Sequence, residues 1–215
     1  MSAPPRTLFF DLDGTLIDSE AGILAAARAA LAELEVAAPE PGAMRSWIGP
    51  PIRDSFAPLL LHDPARVELA VALYRARYAE SGWRMHTVYP GIEAAVRGLH
   101  ARGHRLAVVT AKLDAHAQRV VGALPFGDRF ETVVGASEDG SRVAKADLVA
   151  EALRRLSVRG AEACMIGDRR YDMEGARAHG LRAVGVLWGF GDGTELRAAG
   201  AHALADAPEA LPGLV

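Results

Sequence analysis

Short apolar runs alternate with helical stretches over the second half of the chain, and this alternation constrains the fold more than any other feature. The helical stretches fall at roughly 114–122, 145–156 and 172–179. The apolar runs that flank them are Leu106–Val109, Thr132–Val134, Cys164–Ile166, Ala183–Leu187 and the weaker Ala203–Ala205. Strands that are apolar throughout are typical of a parallel sheet covered by helices on both faces. The alternation therefore predicts an α/β fold.

An earlier apolar run, Arg6–Phe10, ends in two aspartates, Asp11 and Asp13, and Gly14 marks the turn that follows. Side chains alternate along a strand, so both carboxylates are predicted to share a face at its carboxyl end. Two close carboxylates repel each other unless a cation neutralises them or one holds a proton. One can attack phosphorus while the other handles a proton, with Mg²⁺ cancelling charge. An acidic turn at a strand end is the structural alternative.

The stretch between Asp18 and Met85 contains no run that predicts a strand. Ser19 is placed to cap a helix whose apolar residues recur as far as Leu34, and a second clear helix spans 65–80. Breaks rich in proline and glycine separate these segments. We therefore predict a Rossmann-like parallel-sheet core, residues 1–17 and 88–215. An all-helical cap domain, residues 18–87, is predicted to be inserted after the first strand.

Composition and charge exclude several classes of protein. The 215 residues are 50% hydrophobic and 24% charged, as expected for a globular protein with a substantial core. A net charge of -3 argues against a nucleic-acid partner. The single cysteine, Cys164, cannot form an internal disulfide and favours a reducing compartment. Residues 1–6 lack a signal-peptide pattern and no apolar run reaches membrane-spanning length, so a cytoplasmic protein without a membrane partner is expected.

Polar side chains collect where the predicted strands end, which is where parallel sheets bind ligands. Thr110–Lys112 follows the second strand, Lys145 opens the helix after the third, and Gly167–Asp172 follows the fourth. Of the 24 basic residues, Lys112 and Lys145 are the only lysines. A lysine ammonium is a compact point charge, which suits a site that holds a phosphoryl oxygen against a carboxylate. Chance placement of two lysines is the alternative.

Together these residues resemble the four motifs of the haloacid dehalogenase-like hydrolase superfamily, over nearly the whole chain. The matching segments are Asp11–Ser19 for the first motif, Val109–Thr110 for the second, Lys145 for the third and Gly167–Asp172 for the fourth. Within the superfamily the chain looks most like phosphoglycolate phosphatases and neighbouring 5'-nucleotidases. The segments that carry this closer likeness are Thr110–Lys112, Ile48–Pro51 and Asp139–Arg142 with Lys145.

The resemblance implies a catalytic role for four residues. Asp11 would be the nucleophile and would form an aspartyl-phosphate. Asp13 would protonate the leaving alcohol and then take a proton from the hydrolytic water. Thr110 would donate its hydroxyl to a phosphoryl oxygen, and Lys145 would neutralise Asp11 and the transferring group.

The resemblance also implies a bound Mg²⁺ ion. Asp11, the backbone carbonyl of Asp13, and Asp168 would coordinate it, with waters completing the octahedron. Asp172 would orient a metal-bound water or Lys145. The alternative for Asp172 is a structural one, as the N-cap of the helix that runs to His179.

The phosphate and the rest of the substrate are predicted to contact Gly14, Ala111, Lys112 and Arg53. Lys112 can instead be a solvated residue in the first turn of the next helix. Arg53 follows a rigid Gly-Pro-Pro turn and can present a guanidinium to a substrate carboxylate, as phosphoglycolate requires. Trp47 can stack on a nucleobase. Packing of Trp47 in the cap and solvation of Arg53 are the alternatives.

The sequence therefore predicts a Mg²⁺-dependent phosphatase that acts on a small phosphorylated metabolite, with phosphoglycolate favoured. A 5'-nucleotidase and a phosphosugar mutase use the same site and stay open as alternatives. Hydrolysis of a carbon–halogen bond needs neither a second aspartate nor a metal, so the Asp-x-Asp pair argues against it. A phosphate-binding module without catalysis is the alternative from another class. A monomer or weak homodimer is expected.

Overall fold

The computed structural model describes residues 6–215, and the expectation about a leader segment at residues 1–5 lies outside the described residues. The chain divides into two compact units. One contains the chain up to Ile17 together with Val88–Val215, and the other is Asp18–Thr87. Within residues 6–215, no helix combines the length and the apolar character that crossing a membrane requires.

The first unit is built on a six-stranded sheet. Its strands are β1 (Thr7–Phe10), β4 (Arg105–Leu113), β5 (Thr132–Ala136), β6 (Ala163–Gly167), β7 (Arg182–Val186) and β8 (Ala203–Ala205). They lie in the order β5-β4-β1-β6-β7-β8, and every neighbouring pair is parallel. The α/β fold class with a parallel sheet is confirmed. The weakest predicted strand, Ala203–Ala205, is present and forms one edge of the sheet.

Helices connect these strands and cover the sheet. They are α5 (Ile92–Ala101), α6 (Asp114–Ala123), α7 (Lys145–Leu156), α8 (Arg170–Ala178), α9 (Gly193–Ala198) and α10 (Leu211–Leu214). One core cluster joins Phe9 of β1 and Met165 of β6 to Leu148 of α7 and Met173 of α8. All four residues of β1 are buried, so both faces of this strand are covered. This burial explains why its sequence is apolar without alternation.

The second unit is helical. Its helices are α1 (Glu20–Glu33), α2 (Pro41–Met44), α3 (Ile52–Leu59) and α4 (Pro64–Glu80). Asp63 caps α4, because its side chain accepts hydrogen bonds from the N–H groups of Ala65 and Arg66. Two-residue strands, β2 (Ile17–Asp18) and β3 (Thr87–Val88), pair where the chain passes between the units. That this unit acts as a cap stays a prediction.

Two helix starts differ from expectation. Ser19 precedes α1, but its hydroxyl makes no capping hydrogen bond, and the N–H of Glu20 donates to Asp18 Oδ1 at 3.0 Å. The helix expected to begin at Asp172 begins at Arg170. Asp172 is therefore the third helical residue, and its Oδ2 accepts from the N–H of Arg169 at 3.1 Å, as in a capping box. The N-cap alternative for Asp172 is wrong, although its carboxylate does help to close the helix start.

Candidate active site

The carboxyl end of β1 places Asp11 and Asp13 at the middle of the sheet, because β1 lies between β4 and β6. Phe10 is in register with Val108 on one side and with Ile166 on the other. The N–H of Asp11 continues the ladder by donating to the Ile166 carbonyl at 2.9 Å. Both aspartates are buried. Two carboxylates thus lie in the protein interior at the carboxyl ends of the strands, where an uncompensated charge is unfavourable.

Gly14 turns the chain directly after Asp13. Its φ angle of 84° lies in the left-handed region, and a Cβ atom there would overlap the Asp168 carboxylate. Its N–H donates to the Ile17 carbonyl at 2.8 Å, inside the loop itself. The structure therefore gives Gly14 a steric reason to be glycine, and its part in phosphate binding stays a prediction.

The end of β4 contributes Thr110 and Lys112, with Ala111 between them. The strand continues through Leu113, so Lys112 lies on the strand. The Lys112 Nζ is 2.7 Å from Asp13 Oδ2, and its side chain is only 5% exposed. The alternative of a solvated residue in a helical turn is therefore wrong. Thr110 is buried, and its Oγ1 accepts from the N–H of Lys112 at 3.3 Å, which leaves the hydroxyl hydrogen for another acceptor.

Lys145 is the first residue of α7, and its ammonium joins three parts of the site. Its Nζ is 2.9 Å from Asp11 Oδ1 and 2.7 Å from Asp172 Oδ1, and it donates to the Val109 carbonyl at 3.1 Å. Burial lowers the pKa of Lys145, but the charges of Asp11 and Asp172 outweigh this effect and raise the pKa above its usual value. Lys145 is therefore positively charged at neutral pH.

Asp168 and Asp172 extend from the turn after β6. The Asp168 carboxylate is fully buried, accepts from the N–H of Phe190 at 2.8 Å, and lies 3.4 Å from the Thr15 hydroxyl. Ligand oxygens of Asp11, Asp168 and Asp172 all lie within 4.8 Å of one another. These residues are predicted to lie at the carboxyl ends of the strands, and the structure brings them together there.

Burial makes the ionised carboxylates of this cluster costly. It raises the pKa of Asp11 to about 6, an effect that the nearby Lys145 ammonium opposes. It also raises the pKa of Asp168 well above the usual range, and the charges of Asp11 and Asp172 add to that rise. A cation among these oxygens would stabilise their ionised forms.

The segment after β7 also contributes to the site, although none of its residues is among the predicted site residues. The indole N–H of Trp188 donates to the Thr15 carbonyl at 3.0 Å, and Phe190 contacts Asp168 as described. Between them, a Cβ atom on Gly189 would overlap both Asp168 and the Gly14 carbonyl. The segment therefore packs directly against Gly14, Thr15 and Asp168. The sequence contains one feature that could have identified this segment as part of the site: Trp188–Gly191 is a glycine-rich stretch at a strand end.

The two candidate substrate residues of the helical unit have partners within that unit. Arg53 forms a two-pronged ion pair with Glu68, with Nε–Oε1 and Nη2–Oε2 distances of 2.6 and 2.8 Å. Trp47 is 9% exposed and packs edge-on against Phe56, with ring centroids 5.6 Å apart. The packing alternative for Trp47 is what the structure shows, and a substrate contact of Arg53 stays a prediction.

A parallel α/β core with buried aspartates at its first strand end and a lysine facing them defines a class of hydrolases. The chain belongs to the haloacid dehalogenase-like hydrolase family, whose model matches residues 8–186. Its fold is similar to the crystal structure of a predicted phosphatase from Clostridium acetobutylicum, with a TM-score of 0.93 and 31% identity. That match covers 99% of this chain and 98% of the other.

Relatives with different names are similar to this chain in sequence. The chain is 36% identical to a 5'-nucleotidase of Pseudomonas aeruginosa, over 89% of this chain and 86% of that one. It is 32% identical to a plasmid-encoded phosphoglycolate phosphatase of Cupriavidus necator, over 100% and 95%. It is 39% identical to the tyrosine-protein kinase PtkA of Mycobacterium tuberculosis over 87% of the present chain. The match covers 64% of PtkA, so the chain spans less than two thirds of that relative.

Proposed function

We propose that the chain is a Mg²⁺-dependent phosphatase that hydrolyses small phosphomonoesters through a phosphorylated Asp11. The observation that carries this proposal is the buried cluster in which Asp11 and Asp13 each meet one of the chain's two lysines, Lys145 and Lys112. The family to which the chain belongs, and phosphatase names among its relatives, support the same reaction.

In the first half of the reaction, a carboxylate oxygen of Asp11 attacks phosphorus as the ester P–O bond breaks. The bonding electrons leave with the alcohol oxygen, which takes a proton from Asp13. Lys145 lies 2.9 Å from Asp11 and offsets the charge that gathers there, and the Thr110 hydroxyl is available to a phosphoryl oxygen. The products of this half are the free alcohol and the aspartyl-phosphate.

In the second half, water attacks the phosphorus of the aspartyl-phosphate. Asp13, now a carboxylate, accepts the proton of that water as the P–O bond to Asp11 breaks. Inorganic phosphate is released, and both aspartates return to their starting states. Asp13 Oδ1 is buried and has no hydrogen-bond partner among residues 6–215, which suits an atom that exchanges a proton with substrate and water.

The residues present fit a divalent cation. When ionised, the four carboxylates of Asp11, Asp13, Asp168 and Asp172 and the two lysine ammonium groups leave a net charge of about -2 in a buried cluster. Carboxylate oxygens are the ligands that Mg²⁺ prefers. Asp11 and Asp168 would hold the ion with the Asp13 carbonyl, and Asp172 would orient a metal-bound water or Lys145. When bound, the ion neutralises charge on the phosphoryl oxygens.

Binding of Mg²⁺ is expected to stabilise the folded protein, because it relieves repulsion that exists only in the folded cluster. At a concentration 100 times the dissociation constant, the gain is about 2.7 kcal/mol. For a chain of this size that raises Tm by about 5 °C or more. Asp168→Asn, which keeps an acceptor for Phe190 but removes one charge, is expected to lose this rise. Differential scanning calorimetry with Mg²⁺ and with EDTA measures both.

The matched control is Asp128→Asn, because Asp128 is exposed and pairs only with the neighbouring Arg129 at 3.4 Å in its described contacts. This variant is expected to keep the full Mg²⁺-dependent rise in Tm. An equal rise in Asp168→Asn and the control would show that the ion binds elsewhere, and would remove the metal from the proposal.

Within the phosphomonoesters, we propose phosphoglycolate as the preferred substrate over nucleoside monophosphates. The likeness to a phosphoglycolate phosphatase extends over the whole chain. Trp47, the side chain considered for stacking on a base, is packed against Phe56. The nucleotidase alternative rests on the likeness to the Pseudomonas aeruginosa protein.

A panel of phosphate esters tests this function. It contains p-nitrophenyl phosphate, 2-phosphoglycolate, sugar phosphates and nucleoside monophosphates, each with Mg²⁺ and with EDTA. Phosphate release is expected with Mg²⁺ and lost with EDTA, with the highest kcat/KM on 2-phosphoglycolate. Faster turnover of nucleoside monophosphates would contradict the substrate assignment. An added arm with ATP and a tyrosine peptide tests the activity that the name of PtkA implies, and peptide phosphorylation without ester hydrolysis would contradict the phosphatase proposal.

A further inference from the structure

We propose that Lys112 is a positioning residue that orients Asp13 for proton transfer, rather than a residue that binds the substrate phosphate. The inference rests on the proposed function, because it assigns a role within the same reaction. Lys112 would hold one oxygen of the Asp13 carboxylate and direct the other, Oδ1, toward the leaving group and the attacking water.

The contact between the two side chains is short and buried. Lys112 Nζ lies 2.7 Å from Asp13 Oδ2, and the side chains are 5% and 10% exposed. Asp13 Oδ1 is also buried and has no hydrogen-bond partner in the described part of the chain. The two oxygens of one carboxylate are therefore differentiated. One is held by an ion pair with the lysine ammonium and the other is left to react.

The backbone explains how Lys112 reaches Asp13. β1 and β4 are adjacent and in register, with Phe10 opposite Val108. Lys112 lies further along β4, and its N–H donates to Thr110 Oγ1. The strand end that carries Lys112 is thus tied to a second site residue. Lys112 lies in the stretch of β4 where the pairing with β5 shifts register, between Val109 and Leu113, and its ion pair with Asp13 joins the ends of the two adjacent strands.

The two lysines contact different aspartates. Lys145 contacts Asp11 and Asp172, whereas the described ion pair of Lys112 is with Asp13. Loss of Lys112 should therefore affect the step in which Asp13 acts. That step is protonation of the leaving oxygen, which an alkyl phosphate needs far more than p-nitrophenyl phosphate, because p-nitrophenolate is a stable anion. A phosphate-binding lysine would instead affect both esters alike, since they share the phosphoryl group.

The test compares Lys112→Met with wild type on p-nitrophenyl phosphate and on the best alkyl phosphate of the panel. The measured quantity is kcat/KM, which reports the steps up to phosphorylation of Asp11. We expect a loss of about 10²-fold on the alkyl ester, the lower end of what general acid catalysis contributes. The loss on p-nitrophenyl phosphate is expected to stay below about tenfold. Lys112→Arg, which keeps a cation, is expected to recover part of the difference.

Equal losses on both esters would overturn the positioning role and favour phosphate binding by Lys112. A crystal structure of Lys112→Met supplies a second readout, since an unchanged Asp13 rotamer would also overturn it. Circular dichroism establishes that the variant folds, and Lys112→Gln replaces it if it does not. Wild-type protein that hydrolyses neither ester with Mg²⁺ would refute the proposed function itself, and the role of Lys112 with it. This outcome can be distinguished from a failure of the Lys112 role alone, because it is measured on the wild-type protein before any variant is compared.

Discussion

Asp11→Asn is expected to reduce phosphomonoesterase turnover by at least about 10³-fold, the scale of loss when a nucleophile is removed. An asparagine amide has the same shape as the carboxylate but cannot form the aspartyl-phosphate. The fold should persist, because burial already disfavours the ionised carboxylate and raises the pKa of Asp11 to about 6. Initial rates on p-nitrophenyl phosphate, together with the midpoint of urea unfolding, measure the two effects.

Asp128→Asn is the control for this loss, because it makes the same chemical change at an exposed position of the same unit. Its turnover is expected to stay within about twofold of wild type, as for a surface substitution away from a site. Turnover of Asp11→Asn at the wild-type level would refute the mechanism through Asp11, whatever the substrate proves to be.

The fold was largely predictable from the sequence because the sheet is buried on both sides. A buried parallel strand needs apolar residues at every position, and such runs stand out between helical stretches. Every apolar run interpreted as a strand is one, with ends that differ by one or two residues except in β4. β4 runs on to Leu113, since a register shift pairs Leu113 with Ala136. That extension depends on a neighbouring strand distant in sequence, which local patterns do not report.

The candidate site was predictable in its residue types and in part of its pairings. Strand ends identified the aspartates and lysines, because the carboxyl ends of parallel strands meet at one edge. The resemblance predicts that Lys145 faces Asp11 and offers Lys145 as a partner of Asp172, and the structure shows both contacts. Nothing in the sequence predicts that Lys112 meets Asp13. These contacts depend on side-chain reach between adjacent strands and helices. The catalytic and metal-binding roles themselves stay predictions.

The second large effect is expected from Lys145→Met, which should lower both turnover and stability. The substitution leaves Asp11 and Asp172 in the interior without the ammonium that lies 2.9 and 2.7 Å from them. Breaking a buried pair by removing one partner costs about 3–5 kcal/mol. The folded state raises the pKa of Lys145, so its stabilisation is present below the unfolded pKa of about 10.4 and is lost only as pH rises through the folded value. Urea unfolding at pH 7 measures the loss.

Arg154→Met is the matched control, since it removes a cation from the same helix. Arg154 pairs with Glu151 at 2.8 Å, but its side chain is 71% exposed, so the loss should stay below about 1 kcal/mol. Asp172→Asn in the Lys145→Met background should restore part of the stability, because it removes one of the two stranded carboxylates. If Lys145→Met is as stable as Arg154→Met and the added Asp172→Asn changes nothing, the buried charge cluster does not exist as described. Asp11 would then lack the cation that its proposed chemistry requires.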